Sequence, residues 1–118
     1  MLTILVTGIL SLILSSPAFA EEKEFSIYQG TISSIEGMPG YIIVNDREIQ
    51  LSDDVEIKDS KENNARLSDL KEGKWVYIVS EDSSNGFKAT KIYLLPKYIK
   101  KGEKDKYPFM KKEEERKE

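Results

Sequence analysis

Between positions 25 and 95, apolar and polar residues alternate in short runs broken by Gly, Pro, Asn and Asp, a period-two pattern that predicts strands separated by turns. Residues 25–35 are rich in Ile, Tyr, Thr and Phe, with Gly30 in their middle marking a bulge or sharp bend. Gly37-Met38-Pro39-Gly40 predicts a turn, and Tyr41-Ile42-Ile43-Val44 a second strand. Asn45-Asp46 predicts a tight reversal into a third strand, in which Ile49 and Leu51 alternate with Glu48 and Gln50. Val55 and Ile57 continue the alternation past Asp53-Asp54. Residues 59–66 are polar and read as a loop, and Leu67-Ser68-Asp69-Leu70 suffices for one helical turn, closed by Gly73. Residues 75–79 are the most apolar strand segment. Ser83-Ser84-Asn85-Gly86 predicts a hairpin turn with Gly86 at positive φ, and residues 87–95 form the last strand, stopped by Pro96. The expected fold is all-β: a small, closed or partly closed barrel of five to six strands over residues 21–96, with one short helical turn.

The first twenty residues follow a different pattern. Residues 2–14 are almost wholly apolar and uncharged; Ser15, Ser16 and Pro17 follow, then Ala18-Phe19-Ala20, the small-x-small pattern read by a signal peptidase. The run is broken by Thr3, Thr7, Gly8 and Ser11 and falls short of the roughly 20 apolar residues a membrane span needs. The expectation is a signal peptide cleaved after Ala20 and an exported, periplasmic or extracellular mature chain. No Lys or Arg precedes the apolar run, so an uncleaved anchor is the alternative. No Cys stands near the cleavage point, which excludes a lipid-modified terminus.

Composition then removes chemistry. The chain of 118 residues has no Cys and no His, so it has neither disulfides nor thiolate nucleophiles, His general bases, or zinc sites built on those side chains. A non-enzymatic role needing no cofactor is expected. A carboxylate-only enzyme would need two acidic residues converging in a cleft. Charge divides the mature chain: residues 21–96 hold nine Lys and Arg against fifteen Asp and Glu, whereas residues 97–118 hold nine against six. The acidic body disfavours nucleic acid. The tail, with Gly102 and Pro108 among its charges, is expected to be flexible, with at most a frayed helix from Phe109 onward.

The order of certain segments resembles a family of uncharacterised small OB-like barrels in exported bacterial proteins. These segments are Gly30-Thr31-Ile32, Tyr41-Ile42-Ile43-Val44, Ile49-Gln50-Leu51, Val55-Glu56-Ile57, the run LSDLKEGKWVYI at 67–78, and Phe87-Lys88-Ala89-Thr90-Lys91-Ile92. The resemblance covers residues 25–95 and brings no catalytic residues. It implies a β-barrel with a binding role.

Several residue groups are candidates for that role. Tyr41, Trp75, Tyr77 and Tyr93 could form an aromatic platform on the barrel. Period two places Trp75 and Tyr77 on one face and Val76 and Ile78 on the other, and the aliphatic pair suits the interior. Asp53, Asp54, Glu56 and Asp59, and separately Asp82 to Gly86, lack calcium-loop spacing, so no metal site is assigned and they read as turn chemistry. Lys97, Lys100, Lys101, Lys104 and Lys106, interleaved with Tyr98 and Tyr107, are candidates for contact with a membrane surface or partner. The expected function is an exported, non-catalytic binding or accessory module of the bacterial cell envelope, with an envelope protein or polymer as partner. The alternative is membrane-surface or polyanion binding through the basic aromatic tail.

Overall fold

Strand β1 (Phe25–Ser34) is long because it serves two partners, pairing antiparallel with β4 (Trp75–Ser83) along residues 25–31 and with β2 (Tyr41–Val44) at Ile32 and Ser34. The chain is described here from a computed structural model over residues 25–83 and 86–117. The expected leader, its cleavage point and the hairpin tip Ser84-Asn85 lie outside those residues. Strand β2 turns into β3 (Arg47–Lys58) through Asn45 and Asp46, whose φ angles of 51° and 63° fit a two-residue hairpin turn. Strand β3 runs unbroken past Asp53-Asp54 and pairs parallel with β5 (Gly86–Leu95), itself antiparallel to β4. The result is a closed barrel of order β1-β2-β3-β5-β4.

Gly30 is needed where β1 passes from one partner to the other. A Cβ there would lie 2.5 Å from Val44 Cγ1, so no side chain fits without displacing β2. The neighbouring bulge between Ile32 and Ser34 bends the strand around the barrel. Asn45 Oδ1 accepts the Thr31 amide at 3.0 Å, so this side chain stands in for part of the ladder. Gly86 has φ of +95°, as its place in the hairpin requires.

The interior is filled by inward-facing aliphatic side chains, among them Ile32, Ile42, Val44, Ile49, Leu51, Ile57, Val76, Ile78 and Ile92. The expected helical turn is a 3-10 turn, Leu67–Asp69; after it Leu70 is fully buried in the same cluster. Gly73, at φ +86°, donates its amide to Ile32 O at 2.8 Å and aims the chain into β4.

The C-terminal residues depart from the expected loose tail. They form a 3-10 turn, Lys101–Lys106, and a helix α1, Pro108–Lys117, folded onto the barrel. Ile99, Phe109 and Met110 are fully buried against Tyr77, Val79, Tyr93 and Leu95. Burial of these apolar side chains is the physical reason the segment is fixed in spite of its charge.

Candidate functional site

The alternation of β4 sets the arrangement. Val76 and Ile78 point into the barrel; Tyr77 and Val79 point out, with Trp75 packed beside them. Tyr93 and Leu95 of β5 and Phe25 and Ile27 of β1 complete a broad apolar outer face. The expected split between the two faces of β4 is therefore present. The expected open platform is not, because the C-terminal segment covers it.

Phe109 is the centre of this cover. Its ring stacks on Tyr93 at 4.1 Å and 11°, and meets Tyr77 edge-on at 5.6 Å. Tyr77 and Tyr93, cross-strand partners with rings 5.9 Å apart, are each only 2% exposed. The Tyr77 hydroxyl donates to Met110 O at 3.4 Å and also approaches a Glu114 carboxylate oxygen at 3.5 Å.

Two polar devices fasten the segment. The Gln29 side-chain amide donates to Ile99 O at 2.9 Å and accepts the Ile99 amide at 2.8 Å, completing both backbone groups of a buried residue. Glu113, 1% exposed, is held by Lys91 at 3.1 Å and by Arg116 at 3.3 Å. The Arg116 guanidinium also lies 4.8 Å from the centroid of the Phe25 ring. A buried carboxylate needs such partners, and both cations retain access to water.

Burial pushes the Tyr77 phenol far above its ordinary pKa, with the nearby Glu114 and Glu113 carboxylates adding to the shift. Burial likewise, with Glu113 adding to it, pushes Tyr93 up to about 12. A phenol whose folded pKa exceeds its unfolded value contributes stability that is full below about pH 10 and is lost as pH rises through the folded value. Urea midpoints should therefore fall steadily from about pH 10 upward, and Tyr77→Phe should flatten that fall. An equally steep fall in the variant would remove Tyr77 as its source.

The candidate aromatics do not form one site. Tyr77 and Tyr93 are sealed beneath α1. Trp75 is half-buried and meets the exposed Tyr98 edge-on at 5.6 Å. Tyr41 stands apart on β2, which borders neither β4 nor β5, and its ring is seated on Gly37, where a Cβ would overlap it. Among the candidate lysines, Lys97 pairs with Glu103 at 2.8 Å and Lys104 with Glu114 at 2.9 Å. Lys100, Lys101 and Lys106 are exposed and have no ion pair among the described residues.

A depression of about 410 Å³ lies beside the buried ion pair, lined by Asp54, Glu56, Glu81, Thr90, Lys91 and Arg116. Among the described residues no group of three or more acidic side chains is arranged to hold a metal ion. Asp59 instead accepts the amides of Lys61 and Asn63 at 2.8 and 2.9 Å, the expected turn chemistry. Asp54 is likewise engaged locally, by the Ser52 hydroxyl.

Sequence reasoning missed Gln29, Lys91, Phe109 and Glu113. Phe109, Met110 and Glu113 share the buried face of α1, but two apolar residues among charges give no helical period, and Gln29 and Lys91 have no local signal. Fold and site together define a small closed five-stranded barrel whose outer β1-β4-β5 face is covered by its own C-terminal segment. No family model, curated protein or solved structure matches the chain.

Proposed function

We propose that this chain is an exported, non-catalytic accessory module of the bacterial cell envelope that binds a protein or polymer partner on the outer face of the β2–β3 hairpin. The carrying observation is what the fold leaves open. The interior is filled, the β1-β4-β5 face is covered, and Tyr41 and Ile43 remain half-buried, opposite Gln50 and Glu48 across the hairpin. Strand order β1-β2-β3-β5-β4 with β3 and β5 parallel supports an OB-like reading, in which strands two and three form the usual binding face. That support is an analogy of fold. The export reading rests on the apolar leader and on Ala18-Phe19-Ala20.

The test has two arms, both in bacterial cells producing the full chain. The exported fraction should contain a protein beginning at Glu21, and a photo-crosslinking side chain at position 43 should give a discrete adduct that the same group at Glu62 does not. Uncleaved chain confined to the cytoplasm would overturn the export reading. Adducts of equal yield from both positions would overturn the binding face. Contact with a membrane surface through the C-terminal residues is a second reading, favoured by Lys100 and Lys101, which are exposed beside Tyr98 and have no ion pair among the described residues.

A further inference from the structure

We infer that Trp75, Tyr98 and the lysines around them, Lys71, Lys74, Lys100 and Lys101, form a docking surface for an anionic lipid membrane. The inference rests on the export reading, which delivers the mature chain to a membrane surface.

The fold brings together residues that are distant in sequence. Thr31 pairs with Trp75 and Gln29 with Tyr77, so the Gln29 side chain and Trp75 lie diagonally across adjacent strands. Gln29 fixes Ile99 by two hydrogen bonds, and Tyr98 meets Trp75, so residues 98–101 are held alongside the start of β4. Trp75 is the partner of Leu95 at the end of the β4–β5 ladder, which sets Lys74 beside the chain leaving β5. The Lys74 amide donates to Lys71 O at 3.1 Å, placing Lys71 on the same turn.

All four lysines are exposed and have no ion pair among the described residues. Of the acidic residues interleaved with them, Glu103 is occupied by Lys97, whose hydrogen bond also lowers the Glu103 pKa. Glu72 is the other. Residues 21–96 as a whole are acidic, with nine Lys and Arg, Lys71 and Lys74 among them, against fifteen Asp and Glu, so this basic end is the one an anionic surface would draw toward itself.

The chemistry selects lipid over a soluble polyanion. Lysine ammoniums are point charges on flexible stems, suited to mobile headgroup phosphates that impose no fixed bidentate geometry. Trp75 and Tyr98 have apolar rings with polar tips, the side chains that settle at the headgroup level of a bilayer. Tyr98 is 50% exposed, and a soluble polyphosphate would leave its ring in water. A headgroup layer supplies both phosphate and an apolar zone beneath it.

Trp75 is the only tryptophan in the chain, so its emission reports from the surface in question. Mature protein, residues 21–118, would be titrated with vesicles of phosphatidylglycerol mixed with phosphatidylcholine, with vesicles of phosphatidylcholine alone, and with soluble polyphosphate. The expected result is saturable co-sedimentation and a blue-shifted Trp75 emission with the anionic vesicles only, lost near 1 M salt, where the screening length falls to about 3 Å. Combining Lys100→Gln with Lys101→Gln should weaken that binding about thirtyfold while leaving the thermal midpoint unchanged. Tyr98→Ser, a change at an exposed position, should reduce the blue shift. Equal binding to neutral vesicles, an undiminished affinity in the double variant, or binding to polyphosphate without any vesicle-induced shift would each overturn the inference. Failure of the anionic vesicles to bind would do so as well, and would leave the export reading untouched, because that reading stands on the amino terminus of the exported protein.

Discussion

Phe109→Ala should lower the free energy of unfolding by about 3–5 kcal/mol, the cost of deleting a large aromatic side chain from a packed core. Phe109 is fully buried, stacked on Tyr93 and edge-on to Tyr77 and Tyr107. Helix α1 has ten residues, mostly charged, and a helix that short is marginal by itself in water. Its order therefore comes from docking, and Phe109 is the main apolar anchor of that docking. The variant should also lose part of its tyrosine near-ultraviolet dichroism as Tyr77 and Tyr93 become exposed. Urea unfolding measures the first effect; a loss below about 1 kcal/mol, the range of many ordinary surface and near-surface changes, would contradict the packing described.

Lys91→Met should have the second-largest effect, through the carboxylate it leaves behind. Glu113 is 1% exposed, and Lys91 at 3.1 Å and Arg116 at 3.3 Å are its cationic partners. Removing one partner of a buried pair costs about 3–5 kcal/mol when the remaining charge has no other, and Arg116 should hold the loss to about 2–3 kcal/mol here. Adding Glu113→Met to Lys91→Met should restore most of that stability, since a well-packed apolar pair often replaces a buried ion pair without penalty. The comparison separates charge from shape. If the double variant were less stable than Lys91→Met by a further full increment, the two residues would be acting independently, and the account of Glu113 as a charge held by Lys91 would fail.

The barrel was legible in the sequence because its punctuation is local. Asn45-Asp46 and Gly86 occupy the positive-φ positions their turns require, and Pro96 closes β5. The Val55 and Ile57 alternation continues that of Ile49 and Leu51, and all four lie on one strand, β3. The two faces of β4 were also legible, since period two separates Val76 and Ile78 from Trp75 and Tyr77. What covers the outer face was not. Helix α1 offers only Phe109 and Met110 as apolar residues among its charges, too few to produce a helical hydrophobic period. The fastenings are long-range: Gln29 and Ile99 are 70 positions apart, and Lys91 and Glu113 are 22 apart. No local pattern in the sequence signals either pair. Tyr77 and Tyr93 thus have the composition of a binding platform, and only the tertiary contact with Phe109 makes them core.

The central claim is that residues 97–117 are part of the fold and seal the outer β1-β4-β5 face. Amide hydrogen exchange of the protein tests it most directly. The Ile99 amide, bonded to Gln29 at 2.8 Å, and the Met110 amide, bonded to Tyr107 O at 3.0 Å, should be protected to a degree comparable with the amides of β4 and β5. Exchange of both at the rate of an unstructured peptide, while β4 and β5 remain protected, would contradict the claim and leave Tyr77 and Tyr93 as an exposed aromatic face.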